Sequence, residues 1–167
     1  MELYLVRHAP AFNRDPSEWP DDAKRPLTPE GEAKFRKAAR GLRRVVPIVD
    51  IVLSSPFARA WRTAELLEEE AGWPVPKPSP GLEAGRSPVE GIETIRPHLS
   101  ASSLALIGHE PNLSELASTL LAGNATHLAM EIKKGGVVHL RLDHGLRPGT
   151  ALLRGLLTPR VLRALTG

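Results

Sequence analysis

The sequence predicts an α/β fold with a mostly parallel sheet, on three observations. Apolar runs alternate with amphipathic stretches along the 167 residues. Three of the apolar runs are short and continuous, within Glu2–Val6, Asp50–Leu53 and Ser103–Ile107, as strands buried on both faces require. Each run delivers a cationic or imidazole group at its C-terminal end: Arg7-His8, the segment Ser54–Arg59, and His109. In an open parallel sheet that edge is where ligands bind.

Residues 2–7 form the first strand, and a polar, proline-containing loop runs to Leu27. Thr28-Pro29-Glu30 starts a helix. The threonine oxygen can cap a free N–H, and Pro29 falls at the first helical position, where no N–H is needed. That helix is expected to reach about Arg44. Residues 49–54 are the second strand, and Ser55-Pro56 opens a second helix that ends at Gly72. Residues 73–81 carry prolines at alternate positions and are irregular or extended. Ser87-Pro88-Val89-Glu90 is a capping box that starts a third helix. A strand at 103–107 is followed by a helix from Asn112 to Leu121. Residues 136–142 alternate, with Val138, Leu140 and Leu142 on one face and His139 and Arg141 on the other, which marks a half-exposed strand near an edge. Gly149–Leu157 form a last strand, and Thr158-Pro159 starts a short terminal helix. No repeat, low-complexity tract or linker interrupts this order, so a single domain over residues 1–167 is expected.

The absence of cysteine excludes disulfides, thiol catalysis and cysteine-ligated zinc. The first residues lack the pattern of a signal peptide, and no apolar run approaches the roughly 20 residues that span a bilayer. A cytoplasmic location without a membrane partner is therefore expected. The net charge is +3, and arginine far outnumbers lysine, as suits a protein that handles anions. The densest basic stretch, Lys34–Arg44, is interrupted at helical spacing by Phe35, Ala38, Ala39 and Leu42. It reads as the outer face of an amphipathic helix, so no nucleic-acid partner is expected. His98, His127, His139 and His144 show no ligand spacing, and neither a metal nor another cofactor is expected. No feature of the sequence fixes the oligomeric state.

Two arginines and two histidines at one sheet edge describe a phosphate site. Arginine offers a planar fork of donors that matches two phosphate oxygens, so Arg7 and Arg59 can clamp a phosphoryl group. A neutral imidazole is a competent nucleophile near neutral pH. Attack by one histidine gives a phosphohistidine enzyme, which water then hydrolyses. The second imidazole, if protonated, donates to an oxygen on which charge develops. The N-terminus of the second helix adds a favourable dipole.

Four ordered motifs carry a family likeness: Arg7-His8-Ala9; Leu27-Thr28-Pro29-Glu30-Gly31; Ser54-Ser55-Pro56-Phe57-Ala58-Arg59-Ala60 with Thr63-Ala64; and Gly108-His109-Glu110-Pro111. Together they resemble the histidine phosphatase superfamily, the relatives of cofactor-dependent phosphoglycerate mutase, over nearly the whole chain. The resemblance implies one three-layer α/β/α domain of the phosphoglycerate mutase-like fold. It implies His8 as nucleophile and Arg7, Arg59 and His109 as the phosphate pocket. The short chain and the His109-Glu110-Pro111 motif are similar to SixA-type phosphohistidine phosphatases. The expected substrate is thus a phosphohistidine on a signalling protein or a related phosphoramidate. A small phosphomonoester on the same scaffold, or a catalytically silent phospho-binding module, are the alternatives.

The departures from the family pattern are specific. Ala9 replaces the usual glycine. Arg62 replaces the usual glutamine after the pocket arginine, either adding positive charge or facing solvent. Asn13 falls one residue short of the asparagine of the mutases and is left unassigned. Glu83 and Glu90 lie in the region from which other branches draw a proton donor, but neither has the usual context. Pro111 has no N–H to offer a phosphate.

Overall fold

The computed structural model describes residues 1–166. Six strands form one sheet: β1 (Glu2–Arg7), β2 (Ile51–Ser54), β3 (Lys77–Pro78), β4 (Ser103–Gly108), β5 (Val137–Arg141) and β6 (Leu152–Leu157). Their order across the sheet is β3-β2-β4-β1-β5-β6. The pairings among β1 to β4 are parallel, and β5 runs antiparallel to both β1 and β6. The mostly parallel sheet expected from the buried runs is present.

Alternation along the central strands feeds two cores. Tyr4 and Val6 of β1 and Ala105 and Ile107 of β4 face one side; Leu3, Leu5, Leu104 and Leu106 face the other. The first side is covered by helices α1 (Pro29–Val45) and α2 (Ala58–Ala71), with α5 (Pro159–Ala164) against α1. The second side is covered by α3 (Pro88–Ile95) and α4 (Asn112–Ala122). The result is three layers, α/β/α.

The helix starts follow the caps written in the sequence. The Thr28 hydroxyl accepts from the Gly31 N–H at 2.9 Å, and Ser87 and Glu90 make a reciprocal capping box. One start differs. α2 begins at Ala58 after Phe57, not at Ser55-Pro56. Ser55 is held by the sheet instead, since its N–H donates to the Ile107 carbonyl at 2.9 Å. Its hydroxyl caps only the turn, accepting from the Phe57 N–H.

The last strand begins at Leu152 rather than Gly149, because Gly149 turns the chain in the left-handed region at φ 76°. The edge is β6, so the alternating strand β5 lies one place in, which buries Val137 as well as Val138. The proline-rich segment is extended enough to add β3 beside β2, as an edge strand where proline is tolerated.

Candidate active site

The register of three neighbouring parallel strands brings the predicted residues together. Arg7 pairs with Gly108 across β1 and β4, and Ser54 pairs with Ile107 across β2 and β4. The residues immediately beyond, His8, His109 and Ser55, therefore leave the sheet side by side. The His8 N–H donates to the Gly108 carbonyl at 3.0 Å, and the two imidazole centroids lie 5.2 Å apart. Arg59 reaches the same spot from the first turn of α2. Thr63 ties that turn to the end of β1: its hydroxyl donates to the Arg59 carbonyl at 2.7 Å and accepts from the Ala9 N–H at 3.0 Å. Ala9 itself is fully buried.

Arg7, His8, Arg59 and His109 line one cavity of about 330 Å³, with Asp22, Arg25, Glu110 and Lys134 also on its wall. Asn13 and Arg14 stand at its exposed side.

The hydrogen bonds fix the state of His8. Its Nδ1 lies 2.7 Å from the Ala9 carbonyl oxygen. A carbonyl only accepts, so Nδ1 carries the hydrogen and Nε2 of the neutral ring keeps its lone pair. Burial, together with the positive charges of Arg59, Arg7 and Lys134, lowers the His8 pKa to about 3, against the raising effect of the Ala9 bond. His109 is lowered to about 2, by burial first and then by His8 and Arg59. Its Nε2 lies 2.9 Å from the Ser55 hydroxyl, while its buried Nδ1 has no partner. At neutral pH the second imidazole is thus neutral, whereas the sequence reading has it donate if protonated. A neutral imidazole still offers one N–H, and an arriving dianion would favour the cation.

The two guanidinium groups are held differently. Arg7 donates through Nη1 to the Ile132 carbonyl at 2.7 Å. Arg59 is 3% exposed and donates to both the backbone and the carboxylate of Asp22, at 2.8 and 2.9 Å. Each leaves its buried Nε without a partner, so the clamp has unused donor capacity.

The carboxylates rearrange the expectations. Glu83 pairs with Arg86 at 2.7 Å, and Glu90 is spent on the α3 capping box and on Arg86 at 3.0 Å. Neither lines the pocket. Arg62 neither adds charge to the pocket nor faces open solvent; it binds Glu32, Glu65 and Glu69 at 2.7 to 2.9 Å. The acids on the wall are Asp22 and Glu110, which sequence reasoning left unweighed. Glu110 was visible inside the fourth motif, next to His109. Burial pushes its pKa up; one oxygen accepts from the Ser114 hydroxyl at 2.5 Å and the other is buried without a partner. Asp22 had no local signal. It lies fourteen residues after His8 and arrives by the folding back of a polar loop.

Among the described residues, no group of three or more His, Asp or Glu side chains is placed to hold a metal ion, and no helix is long and apolar enough to cross a membrane.

Residues 3–92 match the family model described as histidine phosphatase superfamily, branch 1. An uncharacterised protein of Picosynechococcus sp. is 32% identical over 156 residues, covering 92% of this chain and 89% of its own. An uncharacterised protein of Mycobacterium tuberculosis is 32% identical over 157 residues, 86% of this chain and 97% of its own. The structure of the protein histidine phosphatase SixA complexed with tungstate has a TM-score of 0.83 at 23% identity, covering 97% of this chain and 99% of that one. A mycobacterial glucosyl-3-phosphoglycerate phosphatase bound to VO3 has a TM-score of 0.69 at 15% identity, covering 94% and 98%. These two structures share the fold of this chain.

Proposed function

The chain belongs to the histidine phosphatase superfamily, and from that premise we propose that it is a SixA-type phosphatase. Its substrate is phosphohistidine on a signalling protein, or a related phosphoramidate. One observation carries the reading. His8 keeps its Nε2 lone pair because Nδ1–H is committed to the Ala9 carbonyl, and it shares the wall of one cavity with Arg7 and Arg59.

His8 Nε2 attacks phosphorus as the bond from phosphorus to the substrate nitrogen breaks. The electron pair of that bond leaves with the substrate imidazole, whose other nitrogen already carries a proton. Arg7 and Arg59 hold the equatorial oxygens through their unused donors, and His109 donates to the same group. Water then attacks the phosphoryl on His8, releasing phosphate and restoring the imidazole. No step requires a metal ion, and prolonged treatment with chelator is expected to leave the rate unchanged. A loss restored by added metal overturns that part of the reading.

Support for a nitrogen leaving group comes from Glu83 and Glu90, both turned to Arg86 and away from the pocket. An alkoxide leaves poorly and needs a general acid worth about 10²–10⁴ in rate. A second reading, a small-molecule phosphomonoesterase, is favoured by Glu110, a pocket carboxyl that burial holds toward its protonated form.

The deciding experiment follows turnover of a phosphohistidine protein, a phosphoramidate and a series of phosphomonoesters, in the wild type and in Glu110→Gln. The expected result is fast turnover of the nitrogen-linked substrates. Rates on the esters should fall steeply as leaving-group pKa rises, and the glutamine variant should change little. A shallow dependence, with a loss of about a hundredfold or more on alkyl esters in Glu110→Gln, selects the second reading. Phosphate trapped in base should be found on His8. Finding it on His109, or on no histidine, overturns the mechanism. His8→Ala should abolish turnover, which a silent binding module never shows.

A further inference from the structure

A second cavity of about 200 Å³ adjoins the phosphate pocket. Its cations are Lys34 on α1, Lys134 and Arg163 on α5, and its apolar wall is Pro10, Phe35 and Pro159. Lys134 lines both cavities, so they share one cationic residue. Among the described residues, no carboxylate lines the second cavity. Of its three cations only Lys34 has an ion-pair partner among the described residues, Glu30 at 2.5 Å.

The charge in the two cavities exceeds what a phosphoryl group uses. Arg7, Arg14, Arg25, Arg59, Lys134, Lys34 and Arg163 line them against two carboxylates, Asp22 and Glu110, and Asp22 is shared between Arg25 at 2.8 Å and Arg59 at 2.9 Å. Lys134 is left facing Arg7, Arg25 and Arg59, and this repulsion adds to burial in lowering its pKa. Excess positive charge focused in a cleft attracts a further anion.

The wall restricts what that anion is. Pro10 and Pro159 have no N–H, and the Gly135 N–H already donates to the carbonyls of Arg7 and His8, at 3.1 and 3.0 Å. The cavity therefore offers side-chain cations and an apolar surface, but not the array of backbone donors that suits a phosphate. A carboxylate on a short methylene stem fits both features: its oxygens match the Arg163 fork, and its stem lies against Phe35 and the prolines.

We propose that this cavity is a subsite for an aspartate or glutamate side chain of the protein substrate, presented beside the phosphohistidine, so that acidic surroundings select the substrate. The proposal rests on the protein phosphohistidine reading above. Electrostatic complementarity of this kind sets specificity and encounter rate.

The test uses two phosphohistidine peptides of one length, flanked by glutamates or by lysines, and a small phosphoramidate without a second anion. The wild type, Arg163→Ala and Arg163→Glu are compared. The wild type is expected to prefer the glutamate peptide. Arg163→Ala should lower kcat/KM for that peptide about tenfold, chiefly through KM, as loss of a charged hydrogen bond implies. Arg163→Glu should reverse the preference toward the lysine peptide, which loss of packing alone cannot do. The ratio of peptide to phosphoramidate turnover reports the subsite separately from folding. Equal turnover of both peptides in every variant overturns the subsite alone. Turnover of the small phosphoramidate with neither peptide turned over overturns the protein substrate, here and in the preceding proposal together.

Discussion

Asp22 Oδ2 lies 2.9 Å from Nη2 of Arg59, and the Asp22 carbonyl takes Nη1 of the same guanidinium at 2.8 Å. One residue thus supplies both partners of the buried pocket arginine. Arg25 grips the other carboxylate oxygen at 2.8 Å, which pins this turn over the pocket. A carboxylate resembles a phosphoryl in charge and in planar spacing of oxygens, so Asp22 stands where substrate must compete.

Asp22→Asn should therefore act in two directions. Removing the charge takes away a competitor, and tungstate or phosphate should bind about three- to tenfold more tightly. It also leaves a buried guanidinium less well compensated, at a cost of about 1–3 kcal/mol of stability. Titration calorimetry and urea unfolding measure the two effects. Weaker anion binding would show that Asp22 positions Arg59 for substrate rather than competing with it.

Arg7→Lys and Arg59→Lys keep the charge and lose the planar fork. Each is expected to lower kcat/KM by about tenfold or more. Steady-state kinetics on a phosphoramidate reads the change. Full activity in both variants would remove the clamp from the mechanism.

Stability should fall on mild acidification. The folded-state pKa values of His8 and His109 are lowered from 6.5 to about 3 and about 2. Below pH 6.5 the unfolded chain binds protons that the folded chain refuses. The stabilisation is complete above pH 6.5 and is lost as pH falls toward those values, at up to about 1.4 kcal/mol per pH unit for each imidazole. Glu110, raised by burial, gains stability in acid and partly offsets the loss. Urea unfolding of the phosphate-free protein at pH 7 and pH 5 should show the drop, and His8→Gln should reduce its slope. A profile flat between those values would contradict the neutral imidazole pair.

Gly31 is needed for a close approach. A Cβ there would lie 2.1 Å from the carbonyl oxygen of Pro10, two residues beyond His8. Gly31→Ala should cost about 1–3 kcal/mol as α1 is pushed off that turn, with a further loss of activity because the turn carries His8. Thermal denaturation tests this. An unchanged Tm would mean the turn yields freely.

Much of this was legible in the chain because its causes are local. The caps at Thr28, Ser87 and Thr158 start helices where threonine or serine precedes proline. Continuous apolar runs mark β1 and β4, since a strand covered on both faces has no solvent side to keep polar. The small shift of α2, from Ser55-Pro56 to Ala58, arose because a sheet hydrogen bond to Ile107, remote in sequence, claimed Ser55.

The sequence by itself determined the layered α/β fold and the four residues gathered at its edge. Arg7, His8 and His109 end or directly follow their strands, so parallel register brings them together, and Arg59 follows β2 by five residues on the first turn of α2. The charges around those residues were decided only by the tertiary structure. Glu83 and Glu90 were claimed by Arg86, and Arg62 by three glutamates, while Asp22, Glu110 and Lys134 came to the pocket. A long charged side chain can reach any partner within several ångströms. Which partner it meets depends on loops and helix faces that pack from distant parts of the chain, and no periodicity records that choice.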